Sequence, residues 1–153
     1  MAGFFSGARA ARRDDARLGR GVWRRAHDRF RRGLDRYHQV IEEIDDDAVA
    51  NALVLVADDL AGLLPRVRAV CEAAHRAAPS EGSDIPASAH GWLSDVHRAL
   101  TRSGNALAAT AEAAAMVRLG AGGLDAVQRR ATGVEEFVRA AEEVIAAGPG
   151  GDG

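Results

Sequence analysis

Apolar residues recur in steps of three and four over four separate stretches of this chain, the spacing that lines side chains along one face of an α-helix. In the first, Trp23, Phe30, Leu34, Tyr37, Ile41 and Ile44 keep the step, with His27 filling the polar place between Trp23 and Phe30. In the second, Val49, Leu53, Val56, Leu60, Leu63, Val67, Val70 and Ala74 keep it without a miss. The third runs through Leu93, Val96, Leu100, Ser103, Leu107, Thr110, Ala114 and Val117, a seam of smaller residues. The fourth runs through Leu124, Val127, Ala131, Val134, Val138, Ala141 and Ile145.

The breaks between these stretches have chemical causes. Asp45, Asp46 and Asp47 put the step out of phase, and Asp46 or Asp47 can cap the second helix at its positive end. The stretch APSEGSDIPASAHG at 78–91 is rich in turn formers, and Ser83 or Asp84 can cap the third helix ahead of Pro86. Gly120, Gly122 and Gly123 release the chain after it. Pro65 falls inside the second pattern, whose register passes through it from Leu63 to Val67, so one helix kinked at Pro65 is expected there, not two.

Four amphipathic segments in a chain of 153 residues predict an all-α fold, an antiparallel up-down-up-down four-helix bundle with long helices. Residues 1–12 read as a flexible basic tail, 13–147 as the bundle and 148–153 as a disordered glycine-rich tail. Few aromatics (5 %) and an abundance of alanine agree with helices throughout. The length suits one domain with a core that needs neither disulfide nor metal.

Charge adds the sharpest compositional signal. Every one of the twenty basic residues is arginine, which reads chiefly as a mark of nucleotide composition, since alanine and glycine are also abundant. The distribution is uneven: residues 1–36 carry eleven Arg and four Asp, and the remainder carries nine Arg and eighteen acids. Six of the arginines, Arg24, Arg25, Arg29, Arg31, Arg32 and Arg36, crowd into thirteen residues of the first helix. With Trp23, Phe30 and Tyr37 turned to the core, these arginines fall on outer and flanking positions, and the aromatics are not free to stack on bases. Asp28 and Asp35 lie three and four residues from several of them, a spacing worth only about 0.2–0.5 kcal/mol per pair. Arginines at a helix N-terminus also oppose its macrodipole. Glu135, Glu136, Glu142 and Glu143 of the fourth helix are expected to lie level with them across an antiparallel contact.

Several chemistries are set aside. The pairs Glu72–His75 and Asp35–His38 have the Glu-x-x-His type of spacing used by di-iron bundles, but both point off the core seams, so no metal site is expected. His27 is the one histidine on a seam and reads as a hydrogen-bonded core residue. Cys71 falls in the second apolar pattern and reads as a buried thiol, and a lone cysteine fits a reducing, cytoplasmic setting. The apolar run at 48–57 stops at Asp58 and Asp59, too short to span a bilayer. GAGG at 120–123 is a helix–helix turn, and no serine, cysteine or lysine is set up beside a base.

What remains is a non-catalytic interaction protein without a cofactor. Its expected docking face is the arginine half of the first helix, and its expected partner an acidic protein, with an anionic membrane surface as a lesser fit and nucleic acid a poorer one. Ala108, Ala109, Ala111 and Ala115 give the third helix a flat surface on which a second copy could pack. The alternative is a small-molecule site or enzyme pocket in the helical core, lined by Ser103, Thr110 and His27.

Overall fold

A computed structural model describes residues 2–150, with side chains from residue 6 onward. It contains five α-helices: α1 (Ala2–Leu18), α2 (Val22–Glu42), α3 (Asp47–Ala77), α4 (Trp92–Arg118) and α5 (Leu124–Ala147). Single 3₁₀ turns stand before α4 (Ala89–Gly91) and after α5 (Gly148–Gly150). The simple four-helix bundle expected from periodicity is therefore corrected in two respects, the number of helices and the order in which they pack.

The additional helix is α1, which takes in residues 2–12 of the stretch read as a basic tail. Residues 2–12 offer no long apolar stripe, so helicity alone could not fix them. Tertiary contacts at the C-terminal end of α1 do so. Leu18 is completely buried, Asp14 pairs with Arg68 of α3, and Asp15 pairs with Arg24 of α2 at 3.1 Å. At the other terminus, the expected glycine-rich tail at 148–153 begins with a 3₁₀ turn, and residues 151–153 lie outside the described residues.

The order of the other four follows from their contacts. α2 packs against α3 and α4, α5 packs against α4 and α3, and the remaining pairs stand diagonally. Trp23 meets His97, Arg29 meets Asn105 and Glu43 meets Arg118, so α2 and α4 run in the same direction. Tyr37 of α2 instead reaches back to Leu53 near the start of α3, its hydroxyl donating to the Leu53 carbonyl at 2.9 Å. Two antiparallel hairpins, α2–α3 and α4–α5, thus lie side by side with α2 parallel to α4. The expected antiparallel contact between α2 and α5 does not form.

The connection at 78–91 makes this order. It folds back over the start of α2, where the Trp23 indole donates to the Ala78 carbonyl at 3.1 Å. The Ser80 hydroxyl accepts from the Val22 amide at 3.1 Å, capping α2 from 58 residues away because the N-cap residue, Gly21, has no side chain to do so. The Ser80 amide donates in turn to His75 Nδ1 at 3.2 Å. Gly21 permits the approach, since a Cβ there would lie 2.6 Å from the Ser80 carbonyl oxygen.

Helix ends elsewhere are closed locally. Asp46 Oδ1 accepts from the Val49 amide at 3.0 Å, as the aspartate run implied. The start of α4 differs from expectation: Ser88, and not Ser83 or Asp84, accepts from the Leu93 amide at 3.0 Å. His90 and Gly91 carry the left-handed turn that precedes it. Gly120, at φ +73°, lets the Ala121 amide reach back to the Met116 carbonyl and close α4. α3 runs unbroken through Pro65 and is long and apolar enough, by length and composition, to cross a membrane. Here its seam from Leu53 to Ala74 is buried among the other helices, while Val54 and Leu55 stay exposed.

The core joins all five helices, with Trp23, Phe30, Tyr37, Leu53, Leu60, Val96, Leu107, Val134 and Val138 fully enclosed. Cys71 is buried with them, and its loss of solvent pushes the thiol pKa up to about 12. The native thiol should therefore resist a disulfide reagent at pH 8 and react fully once the chain is unfolded in guanidinium. Fast labelling of the native protein would show that the core opens at α3.

The clasp around Ser80 is testable by urea unfolding. Ser80→Ala removes a cap and should cost about 1 kcal/mol. Gly21→Ala forces a methyl against backbone that cannot swing away and should cost about 2–3 kcal/mol. A Gly21→Ala variant as stable as the parent would contradict the placement of the connection.

Candidate interaction surface

The six arginines do not form one face. Arg25, Arg29, Arg32 and Arg36 follow steps of four, three and four, one stripe along the side of α2 that borders α4. Arg24 is half-buried on another flank, held by Asp15 and, at 3.2 Å, by Asp28. Arg31 is exposed and, seven residues on from Arg24, shares that other flank.

The stripe forms one wall of a groove. Arg29, Arg32 and Arg36 stand on the α2 side, with Gly104, Ala108, Ala111 and Ala115 of α4 opposite and Glu112 at the lip, around a space of about 510 Å³. A second hollow of about 320 Å³ continues it past Arg29 towards Arg25, His97 and Thr101. Three of the alanines expected to form a separate dimer face are thus the second wall of the arginine groove; Ala109 is half-buried and not part of its lining.

Small residues create the groove by letting parallel helices approach. Gly33 faces Leu107, and a Cβ at position 33 would lie 3.0 Å from a Leu107 methyl. Gly104 leaves room for the Arg29 stem, which would pass 3.6 Å from a Cβ there. Arg29 reaches over to the Asn105 side-chain carbonyl, a neutral partner that leaves its charge uncompensated. Among the described residues, no carboxylate forms an ion pair with Arg25, Arg29, Arg31, Arg32 or Arg36.

The acids expected to neutralise this stripe lie elsewhere. Glu142 and Glu135 of α5 hold Arg66 of α3 at 2.6 and 3.6 Å, and this guanidinium draws the Glu142 carboxyl below its usual pKa. Glu136 and Glu143 are exposed on α5, diagonal to α2. Sequence reasoning found the arginines and alanines separately. It missed that they face each other, because residue period says which side of a helix is buried, not which helix lies beside it. Gly33 on α2 and Gly104 on α4, each at a place where the facing helix comes close, were the available signal.

Residues weighed for other chemistry have structural work. Glu72 pairs with Arg68, and His75 accepts from Ser80. Asp35 is exposed, and His38 packs edge-on to Tyr37. His27 is buried with Nδ1 3.1 Å from Asp28. Ser103 and Thr110 donate to the Leu100 and Ala106 carbonyls of their own helix at 2.7 and 2.8 Å. Those hydroxyls are bonded back to the preceding turn, the use a helix most often makes of them. Among the described residues there is no cluster of three or more potential metal ligands, and the one cysteine is free. The described residues form an all-helical domain. The chain matches no family model, no curated protein and no solved structure.

His97 sits at the upper end of the groove, edge-on to Trp23 with ring centroids 6.2 Å apart. Burial lowers its pKa below the ordinary 6.5. The unfolded chain therefore takes up the proton first as the solution is acidified. Stability should hold level above pH 6.5 and fall below it, and His97→Gln should make that fall shallower. Identical slopes for the two proteins in pH-dependent urea unfolding would show that His97 is not desolvated.

Proposed function

We propose that this protein is a binding module, not an enzyme, and that the groove between α2 and α4 receives an acidic helix of a protein partner. The observation that carries this reading is the concave pairing of four arginines lacking carboxylate partners with a wall of glycine and alanine. Arg25 to Arg36 spans about 16 Å along α2 at 1.5 Å per residue, three turns of a docked helix. A helix with acids at steps of four, three and four can meet every arginine in turn, while its other flank lies on the small residues. Arginine suits such contacts because its planar fork binds carboxylates through two hydrogen bonds.

The parallel order of α2 and α4 strengthens the field at one end. Both helices begin beside Trp23 and His97, so two positive helix termini stand at the Arg25 end of the groove. Such a field speeds the encounter with an acidic partner and selects its orientation. A concave groove also fits a rod better than a bilayer or a duplex, which favours the protein partner over an anionic membrane or nucleic acid. Arg24, occupied by Asp15 and Asp28, and Arg31, on another flank, have supporting parts at most in this reading.

The test is fluorescence anisotropy with a labelled amphipathic helical peptide bearing Glu at i, i+4, i+7 and i+11. Binding should weaken as salt rises. Arg29→Glu with Arg32→Glu should weaken it at least about a hundredfold, the scale of losing two charge-assisted contacts. Arg31→Glu, off the stripe, should change it less than about threefold. Equal effects from both variants, or preferential binding of anionic vesicles or duplex DNA, would overturn the proposal.

A further inference from the structure

The hollow of about 320 Å³ at the Arg25 end of the arginine groove is built differently from the rest of it. Besides apolar residues, its lining holds two guanidinium groups, of Arg25 and Arg29, two hydroxyls, of Ser83 and Thr101, and the His97 imidazole. No carboxylate lines it, whereas Glu112 stands at the lip of the neighbouring hollow. Every polar side chain around this space can therefore donate a hydrogen bond.

The fold brings these five groups together from three elements. Arg25 and Arg29, four residues apart, share one side of α2, and His97 and Thr101, also four apart, share one side of α4. The parallel order of the two helices, fixed by the Trp23–His97 and Arg29–Asn105 contacts, faces these pairs across the hollow. Ser83 comes from the connection at 78–91, which the bonds of Ser80 and Ala78 hold across the start of α2. Among the described residues, Arg25, Ser83 and Thr101 make no side-chain hydrogen bond or ion pair within the protein, and Arg29 has only the neutral Asn105 side chain. His97 touches Trp23 edge-on, and burial keeps its ring neutral at pH 7, with one N–H to give.

Such a set of donors suits a phosphomonoester better than a carboxylate. A carboxylate presents two oxygens in one plane, and a single guanidinium fork can engage both. A phosphomonoester presents three strongly accepting oxygens about a tetrahedral centre and carries close to two negative charges. It can accept from both guanidiniums and still take bonds from the hydroxyls and the imidazole. The positive starts of α2 and α4 favour the second charge at the same place.

We propose that this hollow binds the phosphate of a phosphoserine or phosphothreonine on the docked helix, so that phosphorylation of the partner strengthens its binding. The assignment rests on the acidic-helix reading of the groove and names the modification that one end of that site recognises. A helix lying antiparallel to α2 and α4 brings its negative C-terminal end to their positive starts. The phosphorylated residue therefore belongs to the last turn of the docked helix, where it faces Arg25 and Arg29, while carboxylates earlier in that helix meet Arg32 and Arg36.

Anisotropy titrations of the full chain with three versions of the labelled peptide test this. One bears Glu at all four positions, one has phosphoserine at i+11, and one has phosphoserine at i, the position that faces Arg36. Phosphoserine at i+11 should tighten binding at least about tenfold over Glu, and phosphoserine at i less than about threefold. Ser83→Ala with Thr101→Val, confirmed as folded by circular dichroism, should cut the gain at i+11 to less than about threefold, because only the extra charge then remains. Inorganic phosphate equimolar with the peptide should not displace it. Equal gains at the two positions, a gain at i+11 that survives the double variant, or displacement by equimolar phosphate would overturn the proposal. Binding of the Glu peptide with no gain from phosphoserine would overturn it and leave the groove reading intact. Binding of the i+11 phosphoserine peptide alone would uphold the phosphate site and remove the groove reading, and binding of none of the three would remove both.

Discussion

The rest of the molecule depends on how the connection at 78–91 seats against the start of α2. Ser80 supplies the cap that Gly21 cannot, and the Ala78 carbonyl takes the indole proton of Trp23. These bonds satisfy polar groups in a buried place, where leaving one unpaired would cost about 1–3 kcal/mol. They also decide on which side of the first hairpin the second one lands. With the loop drawn across α2, α4 must start beside α2 and run parallel to it. The arginine groove, the approach of Gly33 to Leu107 and the diagonal position of α5 all follow from that one placement.

The same placement sorts the charge. α2 and α4 together hold nine arginines and five acids, while α3 and α5 hold six arginines and nine acids. Parallel neighbours therefore give the domain a basic side and an acidic side. The arginines at the start of α2, unfavourable for that helix alone, stand near the C-terminal end of α3, whose carbonyl-rich terminus offsets part of the repulsion. α1 offsets a further part through Asp15 on Arg24. Compensation comes from the helix that the sequence disguised as a tail. The stripe that borders α4 is left uncompensated, which is what makes it available for binding.

How much was legible beforehand divides along a physical line. Helix extents were, because burial of one face leaves a period that survives in the residues: Leu53 to Ala74 marks α3, and Leu124 to Ile145 marks α5. Inward positions were too, including the polar ones at His27, Ser103 and Thr110. α1 was not, because Leu18, Asp14 and Asp15 tie it to residues distant in sequence and it has no long apolar stripe of its own. Neighbour order was not, because a periodic face is the same whichever helix covers it. Small residues hold that information more faintly. Gly33 and Gly104 mark where two backbones come close, and Gly21 with Ser80 marks where the loop is clasped. The four-arginine stripe was contained in the six arginines read from sequence, but separating it from Arg24 and Arg31 required knowing the neighbour.

The central claim is that α2 and α4 are parallel neighbours, and a designed disulfide tests it most directly. A Cβ at position 33 would lie 3.7 Å from the Leu107 Cβ, inside the range a disulfide spans. In a Cys71→Ala background, Gly33→Cys with Leu107→Cys should oxidise to an intramolecular bond seen as a shift on a non-reducing gel, while Gly33→Cys with Gly133→Cys on the diagonal α5 should stay reduced. The reverse outcome, a bond to position 133 and none to 107, would put α5 where α4 has been placed and remove the groove.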